Sequence, residues 1–351
     1  MVKQIILFFF LTMCGFTMSY SQTISDSISA EPQASFSISG NVDMYYRYGK
    51  NKTSSKTIPS YDHGINLGWI NLTMNKKWKK VDLVVDLVAG PRADQFYKKE
   101  DQENVFTYIK QGYISYEPVK KLKLYAGSMT TPFNIEYLEP ATNFVYSNSY
   151  SNTIIAASFT GLKAEYVFND TWTTSVGVYS DPDKKIDPNP KKHIMGTLIY
   201  SGDKLSATAD ILNGRDGDTT AVFMADLYGF YKVNPAIKLG YQFHYMRDKP
   251  DRTKQVSEWF STVIYAQYII KNNLSIGTFI ERFWDKDGYY FGSPDNHIWC
   301  FTLGCKYKVA QGLTLLPELR MDTADNPSFE HVSNGRVKTE QSFIIVGLYE
   351  F

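Results

Sequence analysis

The chain closes on Thr339-Glu340-Gln341-Ser342-Phe343-Ile344-Ile345-Val346-Gly347-Leu348-Tyr349-Glu350-Phe351, where Phe343, Ile345, Gly347, Tyr349 and Phe351 share one face of a period-two pattern. Successive side chains of a strand point to opposite faces. A period of two over about ten residues has the length of a transmembrane β-strand. A last strand that stops on Phe predicts an outer-membrane barrel, so the question is how far back the pattern runs.

It runs back to Phe36–Tyr48, where Phe36, Ile38, Val42, Met44, Tyr46 and Tyr48 alternate with Ser37, Ser39, Asn41, Asp43, Tyr45 and Arg47. The same reading predicts strands over 64–75, 81–92, 105–117, 121–130, 154–168, 171–180, 192–200, 204–213, 220–233, 236–247, 257–270, 273–284, 296–308 and 312–322. With the first and last, the expected fold is all-β, a 16-stranded antiparallel transmembrane β-barrel with short periplasmic turns and long extracellular loops. The last strand should pair with the first. Turns such as Asn169-Asp170, Asn234-Pro235 and Lys271-Asn272 supply the tight reversals. Every other connection is longer and polar or bears Gly and Pro, as expected of a meander with one confined end and one open end.

The N-terminus reads as an export signal over 1–21: Lys3, an apolar run from Ile5 to Phe16, then Ser19-Tyr20-Ser21 as a cleavage region. Residues 22–34 read as a short polar lead and 35–351 as the barrel, which places the protein in the outer membrane of a Gram-negative bacterium. No other stretch approaches eighteen apolar residues, which excludes a helical membrane protein. Without Lys3 the basic count falls from 37 to equal the 36 acidic residues, so no net charge recruits nucleic acid. The 26 Tyr suit a membrane–water boundary, and outer-membrane lipid and lipopolysaccharide are the expected surroundings. Cys300 and Cys305 are five residues apart on one strand, about 17 Å, beyond disulfide reach.

In hydrocarbon an unpaired peptide group costs several kcal/mol, so a sheet crosses only by closing on itself. Sixteen strands enclose more space than side chains fill. The alternation assigns Asp43, Arg47, Asp82, Asp86, Arg92, Lys123, Lys163, Glu165, Asp210, Asp226, Lys238, His244, Glu281, Lys306, Glu318 and Arg320 to the lumen, where water would solvate them. The longest connection, 131–153, carries Phe133, Glu136, Tyr137, Leu138, Glu139, Asn143, Phe144 and Tyr146. Apolar residues are out of place on a solvated loop, so this segment is expected to fold into the barrel and form the constriction, with Phe133, Glu136, Tyr137, Glu139, Asn143 and Tyr146 lining it.

Across 105–168 a family resemblance becomes plain. Gln111-Gly112-Tyr113-Ile114-Ser115-Tyr116, Leu122 to Gly127, Thr131-Pro132-Phe133 with Glu136 and Asn143, Ser147-Asn148-Ser149-Tyr150, and Thr160-Gly161-Leu162-Lys163-Ala164 resemble the OmpL-like putative β-barrel porin family of Gram-negative bacteria. The resemblance continues as pattern, including Asn213-Gly214, to Phe351. It implies an outer-membrane porin passing small polar solutes, with no catalytic residues to carry over. Asn148 stands where the family's Ser-x-Ser stretch is expected to hold Arg, which removes one positive charge beside the constriction.

Catalytic and metal signals are weak. His63, His193, His244, His297 and His331 lie on separate segments without metal-ligand spacing, so neither metal nor cofactor is expected. The acidic turns 216–218 and 285–288 carry too few ligands for a calcium loop. No Gly-x-Ser-x-Gly or phosphate loop occurs. The leading expectation is passive diffusion of small hydrophilic solutes through a mixed-charge lumen, in a homotrimer by analogy with other wide porins. The alternatives are a plugged structural or adhesive barrel binding an external partner through its loops, and a rim hydrolase.

Overall fold

The computed structural model describes residues 34–49, 51–52, 57, 64–98, 104–217, 219–253, 255–331 and 335–351. The expected export signal 1–21 and nearly all of the lead lie outside the described residues. The barrel strands are β1 (Ser35–Gly49), β2 (Ile65–Trp78), β3 (Val81–Ala89), β4 (Ile109–Val119), β5 (Leu122–Thr130), β6 (Ser158–Val167), β7 (Trp172–Tyr179) and β8 (His193–Ser201). They continue as β9 (Leu205–Asp216), β10 (Thr220–Lys232), β11 (Ile237–Pro250), β12 (Ser257–Lys271), β13 (Leu274–Asp285), β14 (Asn296–Ala310), β15 (Leu313–Ala324) and β16 (Thr339–Glu350). Each pairs antiparallel with its neighbours in sequence, and the sixteen close into one barrel.

Closure joins β1 to β16 in the register Val42↔Tyr349, Met44↔Gly347 and Tyr48↔Phe343. Gly40 and Phe351 exchange both backbone hydrogen bonds at 3.1 Å, so pairing extends to the last residue. The buried Arg47 guanidinium crosses the seam to Glu340 at 2.7 Å. On the outside, Leu162, Val176, Ile194, Ile264, Leu303 and Leu319 are each more than half exposed. A band of such side chains is unfavourable in water and is what a lipid contact buries. Among the described residues no helix is long and apolar enough to cross a membrane, and the crossing is made by strands.

Five expected boundaries differ in ways that bear on the interior or the rim. The strand expected over 81–92 stops at Ala89 because Gly90, at φ 111°, turns the chain and Pro91 opens the helix α1 (Pro91–Tyr97). Arg92 therefore sits on a helix. The strand expected from 105 starts at Ile109, after a 3-10 turn over Asn104–Tyr108. The strand expected from 154 starts at Ser158, after the helix α2 (Tyr150–Ile154) capped by the Ser149 side chain. Conversely, β9 and β11 run past their expected ends to Asp216 and Pro250, leaving only 217–219 between β9 and β10. The expected alternation of short and long connections breaks there. Backbone pairing continues above the apolar band, where both faces are wet and the period-two signal fades.

Gly127 has φ 134°, and a Cβ there would lie 2.4 Å from the Gly112 carbonyl oxygen. Gly196 faces out with nothing within 4 Å of such a Cβ. Gly127→Ala should lower the temperature at which the folded gel band shifts on heating, with a cost of about 1–3 kcal/mol, whereas Gly196→Ala should leave it unchanged.

Candidate functional site

The connection from β5 to β6 runs through the barrel interior. A segment that leaves the sheet carries unpaired peptide N–H groups, and each needs a partner wherever water is excluded. Wall carboxylates supply them. Asp226 on β10 accepts from the Asn134 N–H at 2.7 Å. Glu318 on β15 accepts from Tyr146 and Ser147 at 2.6 and 3.1 Å. Glu281 on β13 accepts from Tyr150 and Ser151 at 2.6 and 2.9 Å, the two oxygens taking one each, and Ser261 donates to it at 2.7 Å. Asp43 on β1 accepts from the Tyr146 hydroxyl at 2.9 Å.

Wall cations take the loop's carbonyls. Arg320 donates to Asn148 O at 2.7 Å and to Ser147 Oγ at 3.0 Å, and Lys306 donates to Ala141 O at 2.7 Å. Hydrogen bonds to a charged partner contribute about 1.5–3 kcal/mol each, roughly twice the neutral kind. The loop is thus tied to β1, β10, β13, β14 and β15 by charge-assisted bonds.

Packing follows the same side. Phe133, Ile135, Phe144 and Val145 of the loop join Leu212, Val222, Val263, Phe279, Phe283 and Ile298 of the wall in one buried cluster. Tyr146 joins Tyr45, Leu316, Ile344, Val346 and Leu348 in another. On these strands both faces are apolar, outward toward lipid and inward toward the loop. That doubled pattern, visible in Ile344-Ile345-Val346, was the sequence signal for where the loop lies.

The lumen-facing positions fall into two groups. Asp43, Arg47, Asp86, Asp226, His244, Glu281, Glu318 and Arg320 face inward but are buried, none more than 4% exposed. Their expected contact with water is replaced by contact with the loop or with one another. Asp86 takes Lys110 at 2.8 Å, Thr73 at 3.0 Å and Asn71. His244 stacks on Trp259 with ring centroids 4.9 Å apart, meets the edge of Phe133, and has Nδ1 3.3 Å from Asp226. Asp210, also buried, accepts from Thr197 at 2.5 Å.

The second group stays partly wet. Asp82 and Lys123 pair at 2.7 Å, and Lys163 and Glu165 at 3.3 Å, all four side chains between 22% and 34% exposed. Tyr125 donates to Glu165 at 3.1 Å and lies under the Lys163 ammonium at 4.0 Å. Lys238 lies 3.5 Å over the Phe230 ring.

Arg92, expected on the lumen wall by alternation, instead reaches the loop from α1. It is 1% exposed, donates to Asn148 Oδ1 at 2.9 Å and lies 4.7 Å over the Tyr146 ring. Asn148 therefore sits between Arg92 and Arg320. Two positive charges thus stand beside the loop at Asn148, from partners no local motif discloses.

The six loop residues singled out in the sequence play unequal parts. Phe133 and Tyr146 are buried anchors. Asn143 closes a turn by accepting from Tyr137 N at 2.8 Å and donating to Tyr137 O at 2.6 Å. Tyr137 is 60% exposed, and Glu139 pairs with Lys110. Tyr137, Glu139, Glu136 and Lys110 line a cavity of about 160 Å³ between the loop and Tyr228. Glu136 accepts from Ser149 N at 2.9 Å, Ser149 Oγ at 3.0 Å and the Tyr265 hydroxyl at 3.0 Å. Burial pushes its carboxyl up from 4.5 to about 7, the Ser149 and Tyr265 donors oppose the rise, and the Glu281 charge adds to it.

Two outcomes follow from these contacts. Glu281→Ala leaves the Tyr150 and Ser151 amides without their acceptor, so their hydrogen exchange should accelerate at least tenfold while exchange in β3–β7 does not change. Because Glu136 holds its proton more tightly in the folded chain, stability is gained as pH falls from about 7 toward 4.5 and lost as it rises back. The thermal midpoint should decline across that window, and Glu136→Gln should flatten the decline.

Solved structures share this architecture. An anion-selective porin from Comamonas acidovorans matches with a TM-score of 0.64 at 14% identity, over 91% of this chain and 100% of that one. A loop L8 deletion mutant of OmpT, an outer membrane protein of Vibrio cholerae, matches at 0.64 and 11% identity over 91% and 99%. The outer membrane channel DcaP of Acinetobacter baumannii matches at 0.62 and 12% over 91% and 97%. At such identities the likeness is one of fold. No curated protein sequence matches the chain. The model of the family described as "Putative beta-barrel porin-2, OmpL-like" matches residues 35–350, the whole barrel, and the chain belongs to that family of outer-membrane porins.

Proposed function

We propose that the barrel conducts small hydrophilic solutes passively, through the part of the lumen that loop 131–153 leaves open. The observation that carries this reading is the division of the interior. The loop is bonded to β1, β10, β13 and β15, while the wall bearing Asp82, Lys123, Lys163 and Glu165 keeps charged side chains partly wet. Charges persist in a membrane interior only where water or a partner solvates them. In this reading Tyr137 and Glu139, with Lys110, form the narrow edge of the path, whereas Phe133, Glu136, Asn143 and Tyr146 hold that edge in place. Export through a cleaved 1–21 segment and assembly as a homotrimer in lipopolysaccharide-bearing lipid belong to the same proposal.

The dry packing of Phe133, Ile135, Phe144 and Val145 on the wall favours a second reading, a barrel closed by its own loop and working through its external loops. Swelling of liposomes containing the protein separates the two, since only an open lumen admits small sugars. Excising residues 136–143 should raise single-channel conductance, and an unchanged value overturns the assignment of the constriction. Because Asp82–Lys123 and Lys163–Glu165 are opposite pairs and Lys238 adds a single cation, reversal potentials should show weak ion selectivity.

A further inference from the structure

The connection between β7 and β8, residues 180–192, is fastened to the end of the lumen loop. Asp183 accepts from the Ala157 and Ser158 amides at 2.7 and 3.0 Å, and its own N–H donates to Ser158 O at 2.9 Å. Lys185 donates to Ser128 Oγ and Ser158 Oγ, each at 2.9 Å. At the roots of this connection three side chains converge. Asp181 comes from the loop, His193 opens β8, and Asp216 ends β9, with one ligand atom from each within 4.8 Å of the others.

Their environment is unusual for a plain polar contact. His193 is 0% exposed and neither ring nitrogen has a hydrogen-bond partner of adequate geometry, although Nε2 lies 3.0 Å from Asp216 Oδ1. Asp181 is 7% exposed. Its Oδ2 is held by Asn189 at 2.8 Å and by the Gly217 amide at 3.0 Å, while the buried Oδ1 has no partner. Room for the imidazole is provided by Gly214, where a Cβ would fall 2.4 Å from His193 Cδ2. Lys192, the neighbouring cation, is directed to Asp187 at 2.8 Å and to the carbonyls of Asn189 and Lys191.

Asp181 and His193 are buried with lone pairs unmet, and Asp216 reaches them from a side chain that is 41% exposed. A divalent cation at their meeting point relieves the cost of burying the first two and leaves an approach from solvent along the third. The donor set selects the metal. Imidazole with carboxylates suits zinc and similar transition metals better than calcium or magnesium. Ligands about 2.1 Å from a tetrahedral ion lie about 3.4 Å apart, within the span observed. Asn189 and Gly217 orient Asp181 in the manner of outer-shell partners, leaving Oδ1 to coordinate.

We propose that Asp181, His193 and Asp216 form a divalent transition-metal site that clamps connection 180–192 and, through Asp183 and Lys185, the end of the lumen loop. Metal binding here does not depend on whether the lumen conducts. The full barrel, stripped with chelator in detergent, should bind one equivalent of zinc by titration calorimetry. Zinc should slow hydrogen exchange over 180–192 and at Ala157 and Ser158. His193→Ala should weaken binding at least tenfold and abolish that protection. Asp181→Asn, which keeps the shape, should do the same and guards against misfolding of the first variant, with the heat-shifted gel band reporting the fold of both. Absence of binding by the native barrel overturns the proposal, as does binding that survives both substitutions. Protection that persists in chelator also overturns it.

Discussion

Every peptide group removed from water must find a partner, and this constraint governs both the wall and its contents. In the wall it is met by strand pairing, which leaves no edge only when β16 returns to β1 and Phe351 bonds to Gly40. Inside, the loop between β5 and β6 has no strand to pair with. Its amides are met by Asp226, Glu281 and Glu318, carboxylates that a membrane interior would otherwise tolerate poorly. The two solutions are complementary, since the closed wall gives the loop a surface to pack on, and that packing excludes the water its amides would otherwise use.

The loop then divides the lumen. Where it lies, the wall is apolar or carries charges matched to loop backbone, and the interior resembles a protein core with interlocking rings such as Phe133, Phe159 and Tyr179. Away from it, the Asp82–Lys123 and Lys163–Glu165 pairs stay partly wet. The family is one of outer-membrane porins, and the solved structures share the barrel fold. The identity with the three solved structures compared, 14% or less, limits that likeness to the fold and leaves the interior chemistry to this chain's own residues.

Much of this is legible in the sequence. The strand count and the closing partner of Thr339–Phe351 follow from a period of two, which is local and needs no knowledge of neighbours. Errors gathered where the period stops deciding. Arg92 satisfied the alternation of β3, but Gly90 and Pro91 had already ended the strand. The ends of β9 and β11 were missed for the opposite reason, since backbone pairing outlasts the membrane-facing pattern. Composition singled out the loop residues as candidates, but it did not disclose their unequal parts, Tyr137 exposed and Tyr146 buried.

The sequence by itself determined a closed antiparallel barrel with a long, partly apolar connection, because alternation and turn chemistry act over a few residues. Only the tertiary structure decided that inward carboxylates would grip that connection, that Arg92 would stand beside Asn148, and that His193 would meet Asp181 and Asp216. Glu281 and Tyr150 are 131 positions apart, and Tyr146 and Glu318 are 172. Contacts at such separations depend on which strands the curvature of the barrel sets around the lumen, and no window of the chain contains that information.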